Sequence, residues 1–126
     1  MKNARILLAD DHAILAEGLR RMLESEFDVV GVVSNGQELV AVAQQLSPDV
    51  IIADISMPVM NGIDALLHLR SLGVVSKVIF LTMHRDVAYA RRAMEAGAVG
   101  YLLKHSVSAE LTNAIREVLQ GRTYVT

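Results

Sequence analysis

Three aspartates, a threonine and a lysine each stand at the end of a short apolar run in this sequence: Asp10, Asp11, Asp54, Thr82 and Lys104. Carboxylates are hard oxygen ligands of the kind that Mg²⁺ prefers. A carboxylate can also attack a phosphoryl group and form an aspartyl phosphate. If these side chains meet, Mg²⁺ and the lysine ammonium balance the three carboxylate charges, and Thr82 offers a hydrogen bond to a phosphoryl oxygen. The set therefore indicates Mg²⁺-assisted phosphoryl transfer.

The apolar runs predict five β-strands, because each is short, rich in Val, Ile or Leu and bounded by polar residues or glycine. They cover residues 5–9, 29–33, 50–53, 78–82 and 99–103, and we expect all of them to be buried on both faces. The stretches between them have helical spacing and end at Pro48, Gly73, Gly97 and Gly121. Strict alternation of strand and helix requires parallel strands with right-handed crossovers. The sequence predicts an α/β fold, a flavodoxin-like doubly wound sheet of five strands in the order 2-1-3-4-5 with five helices.

This topology brings the polar residues together. In a doubly wound sheet, sites form at the carboxyl ends of the strands where the strand order reverses, here between strands one and three. Taken singly, Asp10 and Asp11 could cap a helix, Thr82 could be an ordinary strand residue and Lys104 could be a surface lysine. Convergence on one edge favours the functional interpretation for all of them.

Composition restricts the class of protein. The 126 residues suit one domain, 52% of them are hydrophobic and the mean hydropathy is +0.37. A net charge of -2 without clustered cations gives no sign of nucleic-acid binding. The absence of cysteine excludes disulfides and thiolate nucleophiles, and the four histidines lack zinc-motif spacing. No run suits a signal peptide or a membrane span, so we expect a cytoplasmic protein without membrane contact.

Four strings in order resemble the receiver domain of two-component response regulators, over residues 5–121. The resemblance is closest to the NarL/FixJ (LuxR-type) subfamily. The matching strings are Leu8-Ala9-Asp10-Asp11-His12, Asp54-Ile55-Ser56-Met57-Pro58-Val59-Met60-Asn61-Gly62, Phe80-Leu81-Thr82-Met83-His84 and Gly100-Tyr101-Leu102-Leu103-Lys104.

The resemblance implies a role for each residue of the acidic set. Asp54 would accept a phosphoryl group from a sensor histidine kinase. Asp11 would bind Mg²⁺ directly and Asp54 would be a further ligand, with Mn²⁺ as an alternative ion, while Asp10 would help through water. The backbone carbonyl of Ser56 would be the third protein ligand. Pro58 and Gly62 would shape the loop, the glycine through a special backbone angle.

The resemblance also implies a switch and an output. Lys104 would pair with Asp54 or with a phosphoryl oxygen, Thr82 would move toward the phosphoryl group, and Tyr101 would swing inward behind it, although an aromatic residue in a strand is more often simple packing. A second copy of the chain would bind after phosphorylation. DNA would be bound only through a C-terminal helix-turn-helix domain, with residues 1–121 as the receiver and 122–126 as the start of the linker.

Some positions leave alternatives open. His12 is expected to cap the first helix or to face solvent, and His84 to lie at the mouth of the site or in an exposed loop. Many receivers have proline after the lysine, often in a cis peptide, but His105 follows here. A cis bond before a non-proline residue costs about 2.5–4 kcal/mol, so we expect either a trans or a strained peptide.

Two other function classes compete with the phosphorylated switch. An aspartate-based phosphohydrolase usually has a second aspartate two residues after the nucleophile, where this chain has Ser56. A degenerate receiver that works only as a binding module would be free to lose the acidic set, which is intact here. We therefore expect a phosphoacceptor rather than a turnover enzyme.

Overall fold

The computed structural model describes residues 3–83 and 87–125. Strands and helices alternate along the chain as the apolar runs predict. Their bounds are β1 Arg5–Ala9, α1 Ala13–Leu23, β2 Asp28–Val33, α2 Gly36–Leu46, β3 Val50–Asp54, α3 Gly62–Ser71, β4 Lys77–Thr82, α4 Val87–Glu95, β5 Gly100–Leu103, a 3₁₀ turn Lys104–Ser106, α5 Val107–Leu119 and β6 Tyr124–Val125.

The strands form one parallel sheet in the order β2-β1-β3-β4-β5-β6. The predicted doubly wound order is confirmed for the first five strands. The number of strands was wrong by one, because β6 adds to the outer edge of β5. The Tyr124 N–H donates to the carbonyl of Val99 at 2.9 Å, and the Tyr124 hydroxyl lies 2.7 Å from Glu110 Oε1. That residues 122–126 begin a linker stays a prediction.

Two apolar layers cover the sheet, one on each face. Side chains alternate along a strand, so Leu7 and Ala9 of β1 pack in the layer under α2, α3 and α4. Ile6 and Leu8 pack in the opposite layer, under α1 and α5. The prediction that every strand is buried on both faces was wrong for β2, where Val32 is 43% exposed. The reason is that β2 is the edge strand beside β1 and its outer side has no neighbouring strand.

Side chains and backbone angles fix the helix ends. Asn35 and Asn61 cap α2 and α3 by accepting the backbone N–H groups of Glu38 and Asp64. The predicted stops are confirmed by left-handed backbone angles at three glycines and at the residue before Pro48: Gly73, Gly97, Gly121 and Ser47.

Candidate functional site

The polar residues that end four strands meet at one edge of the sheet. Asp10 follows β1 and Asp54 is the last residue of β3, and these two strands are direct neighbours. Thr82 ends β4 and Lys104 follows β5. Asp10, Asp54, Thr82 and Lys104 are all buried. Charged groups are rarely buried unless they are paired or bind a cation, so this edge is the first candidate for a functional site.

A buried ion pair holds Asp54 in place. The ammonium of Lys104 donates to Asp54 Oδ2 at 2.8 Å, and the backbone N–H of Ser56 donates to Asp54 Oδ1 at 3.2 Å. Burial raises the pKa of Asp54 above its ordinary value, although the Lys104 hydrogen bond opposes that shift. The contacts fix the orientation of the carboxylate, and the expected pairing of Lys104 with Asp54 is present.

An acidic pocket lies beside this pair. Asp10, Asp11, His12 and Asp54 each bring one possible ligand atom to within 4.8 Å of the others. Among the described residues, Asp10 Oδ2 is buried without a hydrogen-bond partner, and Lys104 Nζ is 3.4 Å away from it. An unsatisfied buried oxygen costs about 1–3 kcal/mol. A cation there would remove that cost, and Asp11 is exposed at the mouth of the pocket, so the donor set fits Mg²⁺.

His12 belongs to this pocket, which sequence reasoning missed. The residue stands at the N-cap position of α1, but its side chain makes no capping hydrogen bond. Its ring nitrogen Nδ1 lies 2.9 Å from Asp10 Oδ1 and 3.0 Å from Lys104 Nζ, while the side chain is 60% exposed. The expected exposure to solvent is therefore present, but the ring is turned toward the acidic set. Its position next to Asp10 and Asp11 in the sequence was the available signal.

The loop between β3 and α3 is shaped differently from our expectation. Gly62 has no positive φ; it is required because a Cβ there would lie 2.6 Å from the carbonyl of Asp54 and 2.8 Å from the Phe80 ring. The left-handed angle belongs to Val59, with φ 70. The Gly62 N–H donates to the carbonyl of Ile55 at 2.8 Å, which ties the end of the loop to the strand. A ligand role for the Ser56 carbonyl stays a prediction.

The two expected switch residues lie on neighbouring strands. Thr82 and Tyr101 are both buried, and Tyr101 packs in the apolar layer under α2, α3 and α4. The Tyr101 side chain is thus already inside, and its movement stays a prediction.

Among the described residues no peptide is cis, so the bond after Lys104 is trans. His84 lies outside the described residues.

The family model of the response regulator receiver domain matches residues 6–116. This chain belongs to that family. Receivers of this family generally bind Mg²⁺ at an acidic pocket, and they act as signalling modules of two-component systems. Asp10, Asp11 and Asp54 form the acidic pocket of this receiver.

Known relatives agree with the subfamily that the sequence strings predict. The chain is 37% identical over 96% of its length to the transcriptional regulatory protein DegU of Brevibacillus brevis, and covers 52% of that protein. It is 39% identical over 93% of its length to a nitrate/nitrite response regulator protein homolog of Haemophilus influenzae, and covers 57% of it. A LuxR-family response regulator from Aurantimonas sp. SI85-9A1 superimposes with TM-score 0.92 at 38% identity, covering 98% of this chain and 89% of that one. The receiver is thus similar to those of LuxR-family transcriptional regulators.

The receiver spans about half the length of these curated relatives. Within the described residues, no helix is both long enough and apolar enough to cross a membrane.

Proposed function

We propose that this receiver takes a phosphoryl group on Asp54 from a sensor histidine kinase, with Mg²⁺ in the acidic pocket. The observation that carries the proposal is the buried Asp54–Lys104 pair beside a buried oxygen of Asp10 that lacks a hydrogen-bond partner among the described residues. The pair positions the acceptor, and the second feature indicates the place of a cation. Such a phosphoacceptor is modified once per signal and does not turn over substrate as an enzyme does.

The transfer needs few groups from the chain. An Asp54 carboxylate oxygen attacks the phosphorus of a phosphohistidine, the P–N bond breaks, and its electron pair returns to the imidazole of the kinase, which takes a proton from water. Mg²⁺ held by Asp11 and, through water, by Asp10 would neutralise charge on the phosphoryl oxygens. Lys104 is placed to transfer its hydrogen bond from the Asp54 carboxylate to one of those oxygens.

The phosphorylated state would be transmitted through β4 and β5. Thr82 pairs with Leu103 in the sheet, and Tyr101 pairs with Phe80 two positions earlier. A phosphoryl group on Asp54 would attract the Thr82 hydroxyl, and the packing around Tyr101 would then favour one of two arrangements of this face. We propose that this shift promotes pairing with a second copy of the chain. Control of transcription would follow in the cytoplasm, through a DNA-binding domain beyond residue 126.

Intact mass after incubation with acetyl phosphate tests the proposal, with and without Mg²⁺. We expect one phosphoryl adduct that requires Mg²⁺ and is absent in Asp54→Asn. Asp64→Asn is the matched control, because Asp64 is an exposed carboxylate in the first turn of α3 and should leave the adduct intact. No adduct in the native chain, or an adduct that persists in Asp54→Asn, would contradict the proposal. Steady release of phosphate over many turnovers would favour the hydrolase instead.

A further inference from the structure

We propose that His12 is a metal ligand of this pocket through its Nδ1 atom, and that it gives the receiver a preference for first-row transition ions, from Mn²⁺ to Zn²⁺, that an all-oxygen pocket would lack. The inference rests on the metal pocket of the proposed function. It concerns which residue binds the ion and which ions are favoured. It does not depend on whether Asp54 accepts a phosphoryl group.

The distances around Nδ1 suit one shared ion. Nδ1 lies 2.9 Å from Asp10 Oδ1, 3.5 Å from Asp11 Oδ1 and 3.7 Å from Asp54 Oδ2. With metal–ligand bonds of about 2.0–2.2 Å, neighbouring ligand atoms of a tetrahedral or octahedral ion stand about 2.8–3.6 Å apart, and opposite ones about 4.0–4.4 Å apart. The separations from Asp11 Oδ1 and Asp54 Oδ2 agree with adjacent ligands within a few tenths of an ångström, while Asp10 would act on the ion through water.

The two close contacts of His12 Nδ1 cannot both be hydrogen bonds. Nδ1 is 2.9 Å from an acceptor, Asp10 Oδ1, and 3.0 Å from a donor, Lys104 Nζ. One nitrogen of a neutral imidazole either donates or accepts, so either proton arrangement leaves one of these contacts unfavourable. A cation among the three residues would attract the Nδ1 lone pair and the carboxylate oxygens together.

A second observation concerns the other oxygen of the Asp10 carboxylate. Asp10 is buried, with a side chain that is 4% exposed, and within the described residues its Oδ2 atom has no hydrogen-bond partner, although Lys104 Nζ lies 3.4 Å away. The His12 ring, by contrast, is 60% exposed. It can therefore adjust toward an ion without repacking the core, whereas the Asp10 carboxylate is fixed by the backbone N–H of His12, which donates to Asp10 Oδ1 at 2.8 Å.

The donor type determines the choice of ion. Mg²⁺ prefers oxygen ligands and gains little from an imidazole nitrogen. Imidazole suits the later first-row ions, whose affinity for nitrogen sites rises along the series toward copper and remains high at zinc. Removing His12 should therefore weaken the binding of Co²⁺ or Zn²⁺ while leaving the binding of Mg²⁺ nearly unchanged.

Pulsed electron paramagnetic resonance of Mn²⁺ bound to the whole chain tests the ligand. We expect electron spin-echo modulation from a coordinated ¹⁴N nucleus, replaced by a ¹⁵N pattern when the protein is made with ¹⁵N-histidine. The modulation should be lost in His12→Ala. It should remain in His68→Ala, the matched control, because His68 is an exposed histidine on α3.

Calorimetric titration tests the selectivity. His12→Ala should lower Co²⁺ affinity by about tenfold or more, the size of effect seen when groups that support metal ligands are removed, and should change Mg²⁺ affinity by less than about twofold. No nitrogen modulation, or an unchanged ratio of Co²⁺ to Mg²⁺ affinity in His12→Ala, would overturn the inference. In that case a Mg²⁺-dependent adduct on Asp54 would still support the proposed function, so the two failures are distinguishable.

Discussion

Asp54, the proposed phosphoryl acceptor, lies in an environment that is unfavourable for a carboxylate. Its carboxylate is 3% exposed and lies near Asp10, and burial is the largest cause that raises its pKa. A carboxyl group whose pKa is higher in the folded than in the unfolded state favours folding most when it is protonated. Its contribution to stability is therefore present below the unfolded pKa, ordinarily near 3.8, and is lost as the pH rises through the folded pKa.

The stability of Asp54→Asn relative to the native chain should therefore increase with pH in the absence of divalent cations. The difference in unfolding free energy should grow as the pH is raised from about 3, and become constant above the raised pKa of Asp54. Urea denaturation at a series of pH values measures it, and taking the difference between variants removes the titration of shared groups. Asp64→Asn, which removes an exposed carboxylate in the first turn of α3, is the matched comparison. A native chain that gains stability over Asp54→Asn as the pH rises would contradict this argument.

At this scale, residue type and strand position were sufficient for most of the site. Asp10, Asp54, Thr82 and Lys104 could be predicted because each ends a recognisable strand, and parallel strands bring their ends together. The part played by His12 could not be predicted, because it depends on how its ring turns at the start of α1. In the folded chain the ring nitrogen Nδ1 lies 3.0 Å from Lys104 Nζ, 92 residues away in the sequence.

The loop between β3 and α3 contains a strained residue. Val59 has φ 70, a left-handed angle that costs a residue with a Cβ about 1–2 kcal/mol and is least suited to a β-branched one. Its side chain is 75% exposed, so little packing opposes a smaller residue. The strain lies between the acceptor strand and the helix that follows it.

Val59→Gly should raise the unfolding free energy by about 0.5–1 kcal/mol, since relief of the left-handed angle exceeds the greater freedom of glycine in the unfolded chain. Val75→Gly is the matched control, because Val75 is 85% exposed but has no positive φ. Val75→Gly should lower the unfolding free energy. Urea denaturation measures the unfolding free energy of both variants. A loss in Val59→Gly equal to that of the control would show that the angle is not strained.

The start of α3 is pressed against the end of β3, so the helix and the acceptor strand are positioned together. A Cβ on Gly62 would lie 2.6 Å from the carbonyl of Asp54. This carbonyl belongs to the backbone, which cannot move aside without displacing Asp54. A change in this one glycine should therefore act on both stability and phosphorylation.

Gly62→Ala should destabilise the chain by about 1–3 kcal/mol, the usual cost of overpacking, and should slow adduct formation on Asp54. Gly18→Ala is the control within α1, where an added Cβ meets nothing within 4 Å, and it should add up to about 1 kcal/mol through helix propensity. Denaturation measures the stability of both variants. Intact mass followed over time measures the rate of adduct formation on Asp54 in each of them. Gly62→Ala with native stability and native rate would show that the contact is relieved at no cost.

Helices and strands could be predicted wherever the apolar pattern was long enough. The prediction was incomplete at the two edges of the sheet. The predicted strand order already placed β2 at the edge of the sheet, but its apolar run has the same composition as a central strand, so composition did not indicate that Val32 would be exposed. At the other edge, β6 has two residues. A strand of that length shows no alternation, and it exists because its backbone pairs with β5.

At the scale of the whole molecule, the site connects parts of the chain that are far apart in sequence. Asp10 and Asp11 follow β1, Asp54 ends β3, and Lys104 follows β5. The three carboxylates repel one another in the absence of a cation, and Lys104 compensates only part of their charge. Binding of a cation should therefore stabilise the fold as a whole, because the unfolded chain does not hold these residues together.

Mg²⁺ should raise the unfolding free energy of the native chain, by about 2.7 kcal/mol at about one hundred times its dissociation constant. Asp11→Asn should lose most of this gain while being at least as stable as the native chain without Mg²⁺, because Asp11 is exposed and loss of its charge reduces the repulsion among the carboxylates. Thermal or urea unfolding over a Mg²⁺ series gives the gain, with sodium chloride of equal ionic strength to separate general screening from binding. An equal gain in both proteins would mean that Mg²⁺ acts elsewhere on the chain, and the acidic pocket would then lose its assignment as the metal site.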